Sequence, residues 1–220
     1  MENSMNLEFA RQQMLKQQVR AGEVLDLKIL DALASVNRED FVPAEYAGVA
    51  FADCTIPLAH GQCMMSPLVE GQLLQALNPG KDDRVLEIGT GSGFLTACLA
   101  ALAGQVHSVD IFPELTAMAQ TSLDSSGAGN VSLETLNAME LGAERKYDVI
   151  AVTASLPAYD RRFETALNTG GRLFVIVGEE PVMRARLVTR VGEDEWLTDA
   201  LFETVITPMR EVVALDRFRF

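Results

Sequence analysis

At 220 residues the chain has the size of one α/β domain with short attachments, and two domains of ordinary size would be cramped in it. Hydrophobic residues at 48% and charged residues at 22% are the proportions of a folded globular domain, which excludes collagen-like, disordered and disulfide-scaffold classes. A formal charge of −13, from 18 basic against 31 acidic side chains, opposes nucleic acid and anionic membrane surfaces as partners. The basic groups Arg161 with Arg162, and Arg184, Arg186 and Arg190, are short and flanked by acids, as on a solvated face. No window holds 18 consecutive apolar residues, and the polar N-terminus lacks the basic-then-apolar order of a secretory signal. Cys54, Cys63 and Cys98 form no even-numbered framework and no CxxC pair. A reducing, cytoplasmic setting with no bound metal is therefore expected.

Apolar residues at helical spacing, Leu7, Met14 and Leu15 and then Leu25, Ile29, Leu30, Leu33 and Val36, predict two N-terminal helices broken at Gly22. From Asn37 to Pro67 the periodicity dissolves among prolines, glycines and small polar residues. Ordered loops of that length usually carry function. Pro67 suits the first turn of a helix whose apolar stripe, Leu68, Val69, Leu73, Leu74 and Leu77, ends at Asn78, Pro79 and Gly80. Five β-rich runs follow, at 84–88, 105–110, 131–136, 147–153 and 171–176, separated by helical or loop stretches. That alternation predicts right-handed crossovers and a mostly parallel sheet covered on both faces. Beyond Gly178 the runs 185–191 and 196–209 read as two adjacent strands at the sheet edge.

The chemistry concentrates in VLEIGTGSGF, residues 85–94, where a buried strand runs into Gly89, Gly91 and Gly93 and a helix follows. Ligands of open α/β sheets sit at this carboxyl edge, and glycines let ligand atoms approach the backbone. A dinucleotide fingerprint would carry glycine at the position of Phe94. Glu87 stands two residues before the first glycine, where a carboxylate attracts an amino or sulfonium cation and repels a pyrophosphate. This favours S-adenosyl-L-methionine over a nicotinamide dinucleotide. Asp110 closes the next strand, 21 residues after Gly89, the place from which a carboxylate accepts both ribose hydroxyls in either cofactor class.

VLEIGTGSGF resembles motif I of class I S-adenosylmethionine-dependent methyltransferases. Further segments are similar to the protein-L-isoaspartate O-methyltransferase family: VNREDFVP at 36–43, ADCTIPLAHGQ at 52–62, LNPGKDDRVLEIGTGSG at 77–93, YDVIAVTAS at 147–155 and LNTGGRLFVIVG at 167–178. The likeness spans roughly residues 10 to 210 in the family's order. It implies a doubly wound, mostly parallel seven-stranded sheet with N-terminal helices and an antiparallel edge strand. It also implies a single methyltransferase domain: a helical appendage at 1–36, a substrate and cofactor loop at 37–67, a cofactor-binding core at 68–178, and edge strands with a tail at 179–220. The implied activity is carboxyl methylation of L-isoaspartyl residues in damaged proteins, after which succinimide formation restores aspartate. Implied cofactor contacts are Glu87, Gly89, Thr90, Gly91, Ser92 and Gly93 in the loop, Asp110 and Ile111 at the ribose, and Asn137 with Ala138 where the family has Asp-Gly beside the adenine.

One departure stands out. The family continues GQ with Thr-Ile-Ser, a variable residue and proline, and that serine is regarded as catalytic; this chain reads Gly61, Gln62, Cys63, Met64, Met65, Ser66, Pro67. Aligned without a gap, Met65 occupies the serine position, and a thioether donates no hydrogen bond. Ser66, one residue on, is the candidate catalytic hydroxyl, and Met65 and Ser66 are both placed against the cofactor. Met64 and Met65 also suit a soft lining around a sulfonium or a place in the core. Three readings stay open: isoaspartyl methylation, a diverged relative with another acceptor, and a protein that holds the cofactor without turnover. His60 is a candidate general base, Cys63 a candidate reactive thiol or small buried hydrophobe, and Asp53 a loop hydrogen-bonding residue.

Overall fold

The structure, a computed structural model, describes residues 2–142 and 144–212, with side chains from Leu7 onward. Met1, Ala143 and the end of the predicted tail, 213–220, lie outside the described residues. Helix α1 (Glu2–Met14) passes into a π-helical turn at Leu15–Val19, and the chain reverses through Gly22 before α2 (Leu27–Ser35). Asp26 caps α2 by accepting from the Lys28 amide at 2.8 Å. Met14, Val19, Val24, Ile29 and Leu33 face inward and are buried. Residues 37–66 hold three 3₁₀ turns and a two-residue antiparallel ladder, β1 (Ile56–Pro57) with β2 (Cys63–Met64). Helix α3 (Pro67–Leu77) starts on the predicted proline and stops at Asn78 in a left-handed conformation. Its Leu73, Leu74 and Leu77 are fully buried, each contributing roughly 1.5–3 kcal/mol.

The main sheet has seven strands: β3 (Arg84–Ile88), β4 (Gln105–Asp110), β5 (Val131–Thr135), β6 (Tyr147–Leu156), β7 (Leu167–Glu179), β8 (Val182–Arg190) and β9 (Trp196–Thr204). Their order is β5-β4-β3-β6-β7-β8-β9; the pairs from β5 to β7 are parallel, and β8 and β9 are antiparallel additions. Helices α4 (Phe94–Leu102) and α5 (Pro113–Ser126) provide the crossovers β3 to β4 and β4 to β5, and α6 (Arg161–Thr165) precedes β7. Two buried clusters cover the two faces. One joins the N-terminal helices, α3, α4 and α5 to Val85, Val106 and Phe174, and the other gathers Leu86, Ile88, Val109, Ile150 and Leu173. This is the doubly wound fold that the family resemblance implies, built on the mostly parallel sheet expected from the alternation of strands and helices.

Strand order reverses at β3, which lies between β4 and β6, so the crevice beyond its carboxyl end opens where ligands of such sheets bind. The last strand is shorter than the run 196–209 predicts. It ends at Thr204, and the following residues leave the sheet edge to lie along the end of β6, where the Ser155 amide donates to the Thr207 carbonyl at 3.0 Å and the Met209 amide to the Ser155 carbonyl at 2.9 Å. Pro208 has no amide hydrogen to continue an antiparallel ladder.

Candidate active site

The loop after β3 is shaped by what lies behind it. Gly89 has φ +100°, and a Cβ there would stand 2.2 Å from the Thr153 hydroxyl oxygen. That hydroxyl supports the turn by donating to the carbonyls of Ile88 at 2.9 Å and Gly89 at 2.8 Å. Gly93, with φ +87°, lets α4 start against α5, where a Cβ would lie 3.1 Å from that of Ala119. Side chains other than glycine rarely take either conformation. Between them, the Thr90 hydroxyl meets Ser108 at 2.6 Å, and the Ser92 hydroxyl accepts from the Phe94 amide at 3.4 Å.

Asp110 ties the loop to the end of β4. One carboxylate oxygen accepts from the Gly91 amide at 2.9 Å and the other from the Phe112 amide at 3.0 Å. Each oxygen keeps a lone pair for an external donor. Glu87 lies deeper and is fully buried. Its Oε2 accepts from the hydroxyls of Thr96 at 2.5 Å and Ser108 at 2.6 Å, while Oε1 is buried with no partner. Burial, together with the nearby Asp110 and Glu70 charges, pushes the Glu87 carboxyl up to about 8 against the pull of the two hydroxyls. An unpartnered buried acceptor is costly, and a ligand cation is the natural remedy.

Three adjoining cavities surround these groups. The first is lined by Gly89, Asp110, Ile111, Phe112, Asn137 and Ala138 together with Met209 and Arg210. The second includes Glu87, Thr90, Gly91, Ser92, Met65 and Glu70. The third lies between Gly89, Gly91, Thr153 and Ala154 on one side and Cys63, Met65, Ile206 and Thr207 on the other. Together they form a channel that presents a buried carboxylate, a second carboxylate at the strand end, and then a slot closed by Ile111 and Ala138. That order fits an ammonium, a ribose and an adenine in turn. The Asn137 carbonyl oxygen accepts from the Met139 amide and its amide nitrogen donates to Glu211, which leaves one N–H for a base edge.

The loop bearing Met65 is held by a buried clamp. Arg38 donates to the carbonyls of Ala50 at 2.9 Å and Met65 at 2.8 Å, pairs with Glu70, and stacks 4.6 Å over the Phe94 ring. Burial pushes the Glu70 carboxyl up to about 7 even beside Arg38. Met65 is thereby fixed in the cavity wall at 5% exposure, whereas Ser66 is the residue preceding α3, makes no capping bond and lines none of the three cavities. His60 sits on the rim, stacked on Phe112 at 4.2 Å and 3.2 Å from Glu114, and also lines none of them. Cys63 does reach the second and third cavities. Asp53 differs from expectation: it is exposed, and its side chain makes no hydrogen bond among the described residues, because its loop is held instead through backbone bonds such as Cys54 to Ala52.

Residues that sequence reasoning missed include Thr153, Thr96, Ser108, Glu70 and the tail residues Ile206 to Arg210. Thr153 carried a usable signal, since it closes the β-rich run 147–153 and so falls toward the carboxyl edge of the sheet. The tail carried none, because nothing local marks a chain end that folds back. Among the described residues no group of three or more His, Cys, Asp or Glu is placed to hold a metal ion, and no helix is long and apolar enough to cross a membrane.

Known proteins resemble this chain in sequence and fold. The model of the family Protein-L-isoaspartate(D-aspartate) O-methyltransferase (PCMT) matches residues 9–213. A protein-L-isoaspartate O-methyltransferase from Koribacter versatilis is 36% identical over 181 residues, covering 82% of this chain and 81% of the relative. One from Synechococcus is 37% identical over 206 residues, covering 90% and 84%. Among solved structures, a protein-L-isoaspartate O-methyltransferase from Plasmodium falciparum, in complex with S-adenosyl-L-homocysteine, superposes with a TM-score of 0.79 at 18% identity, covering 90% of this chain and 97% of the other.

Proposed function

As this chain belongs to the protein-L-isoaspartate O-methyltransferase family, we propose that it methylates the α-carboxyl of L-isoaspartyl residues in damaged proteins or peptides, using S-adenosyl-L-methionine. The observation that carries the cofactor half is the unpartnered Oε1 of Glu87, buried in the cradle formed by the glycine loop. When bound, S-adenosyl-L-methionine supplies a sulfonium methyl whose transfer to a carboxylate oxygen leaves the bond electrons on sulfur and consumes no proton. Glu87 holds the amino head, the carboxylate of Asp110 accepts from the ribose hydroxyls, and Ile111, Asn137 and Ala138 flank the base. Thr90, Gly91, Ser92 and Gly93 complete the loop. Met65 walls the channel on the acceptor side and excludes water, so catalysis here rests on alignment and proximity. In this reading residues 68–178 bind the cofactor, and 37–67 together with the tail after Thr204 form the acceptor side, over a single domain. Three free cysteines suit a cytoplasmic setting, and the charge of −13 disfavours nucleic acid.

A second reading, another carboxylate acceptor of different shape, is favoured by one observation: Met65 stands where the resemblance places a serine, and Ser66 lies outside the channel. Calorimetry with S-adenosylhomocysteine and methyl transfer to an isoaspartyl peptide beside its aspartyl control test the proposal. The expected result is cofactor binding with a raised melting temperature and turnover of the isoaspartyl peptide only. Binding without turnover of either peptide would leave a different acceptor or a non-catalytic binder, and no binding would sink the whole assignment.

A further inference from the structure

The third cavity needs a hydrogen-bond donor to orient a carboxylate, and its lining offers few. The Thr153 hydroxyl is committed to the carbonyls of Ile88 and Gly89, and one N–H of the Gln62 amide goes to the carbonyl of His60 at 3.3 Å, which leaves its second N–H. Asp110 repels a second carboxylate, and the Met65 thioether donates nothing. No Lys, Arg or His lines this cavity. Besides that N–H, the lining offers a pair brought together from residues 144 apart: the Thr207 hydroxyl oxygen lies 3.0 Å from Cys63 Sγ, and both residues line the cavity together with Gly89 and Gly91.

Thr207 is held firmly there. Its carbonyl accepts from Ser155, Met209 closes the ladder back to Ser155, and the preceding Ile206 is buried. When the thiol donates to the hydroxyl oxygen, the hydroxyl hydrogen is free to turn into the cavity. A neutral donor also suits the reaction. The acceptor's negative charge is lost on the way to the ester, so a cation would stabilise the ground state more than the transition state and slow the step.

We propose that Thr207, oriented by the Cys63 thiol, is the acceptor-positioning hydroxyl of this enzyme, supplying from the tail what position 65 cannot supply from the loop. This rests on the isoaspartyl reading above. The test measures kcat and KM for an isoaspartyl peptide, peptide affinity with S-adenosylhomocysteine bound, and S-adenosylhomocysteine affinity itself, in wild type, Thr207→Val, Thr207→Ser and Cys63→Ala. Thr207→Val keeps the shape and removes the hydroxyl; it should weaken peptide binding and raise KM about ten-fold, the effect of one lost hydrogen bond to a charged group, while cofactor affinity and melting temperature hold. Thr207→Ser should restore the wild-type values to within about three-fold, and Cys63→Ala should fall between, because the hydroxyl stays but loses its orienting partner. Wild-type peptide affinity in Thr207→Val, or equal impairment of the Val and Ser variants, would overturn the assignment while leaving the function intact. A wild type that neither binds nor methylates the isoaspartyl peptide would sink both.

Discussion

Replacing Glu87 with glutamine probes the cofactor cradle at its most unusual atom. In the wild type Oε2 accepts from Thr96 and Ser108, and Oε1 has no partner. Glutamine keeps the two hydroxyl bonds through its carbonyl oxygen and places an NH₂ where the unpartnered oxygen stood. The amino head of an S-adenosyl ligand then meets a donor in place of an acceptor. A hydrogen bond between charged groups is worth about 1.5–3 kcal/mol, so above pH 8, where the wild-type carboxyl is ionised, S-adenosylhomocysteine should bind roughly 10- to 150-fold more weakly to Glu87→Gln. Burial pushes this carboxyl up to about 8, so at pH 7 the free site holds a proton that the ligand cation displaces. Wild-type affinity should therefore rise by up to about ten-fold per pH unit toward pH 8 and level off above it, while the variant stays flat. The same shift sets a stability difference. Because the folded value lies above the usual 4.5, the contribution of the protonated carboxyl is complete below pH 4.5 and is lost as pH rises through 8. Glutamine titrates nowhere in that range, so its melting temperature should gain on the wild type between those limits. Calorimetry at pH 7 in two buffers of different ionisation enthalpy measures the released proton, and thermal melts across pH measure the stability gap. Equal ligand affinity in the variant, with no proton released by the wild type, would show that Glu87 does not face the ligand.

Asp110→Ala should weaken S-adenosylhomocysteine by roughly 1.5–3 kcal/mol by calorimetry and also lower the melting temperature, since the amides of Gly91 and Phe112 lose their acceptors with it. Gly89→Ala should abolish cofactor-induced thermal stabilisation, because its Cβ would fall 2.2 Å from the Thr153 hydroxyl that supports the turn. Met65→Ser should raise isoaspartyl-peptide turnover about ten-fold by adding a second hydroxyl to the acceptor cavity, while Ser66→Ala, outside it, should leave the rate within about two-fold; the reverse pattern would mean that the loop is shifted by one residue. Arg38→Met strands the Glu70 carboxyl and frees the carbonyl of Met65, and denaturant unfolding should show a loss of about 3–5 kcal/mol.

Much of the proposed cofactor side is legible in the sequence. A strand running into glycines, a carboxylate two residues before the first of them and another closing the next strand are arranged by short stretches of backbone, and short stretches are what a sequence displays directly. The same holds for Pro67 opening α3 and for the alternation that produces a parallel sheet. The acidic residues were located correctly as strand ends, yet their partners were not legible. Thr96 and Ser108 reach Glu87 from a helix and a neighbouring strand, and only the packing of α4 on β3 and β4 determines that both bond one oxygen and leave the other bare.

The acceptor side belongs almost wholly to tertiary structure. The resemblance to the family located the departure at Met65 and offered Ser66 in its place, but the direction of each side chain depends on Arg38 seizing the Met65 carbonyl and pairing with Glu70. The run 196–209 reads as one strand because β-propensity persists through Val205 and Ile206; the chain nevertheless leaves the sheet after Thr204. There it satisfies the free backbone groups of Ser155 beyond the last β3–β6 pairing, Ile88 with Val152, and buries Ile206. Such a choice is made by unsatisfied amides and carbonyls on a distant strand, which no local pattern encodes. It brings Thr207 to Cys63 across 144 residues and closes the channel that the glycine loop opens.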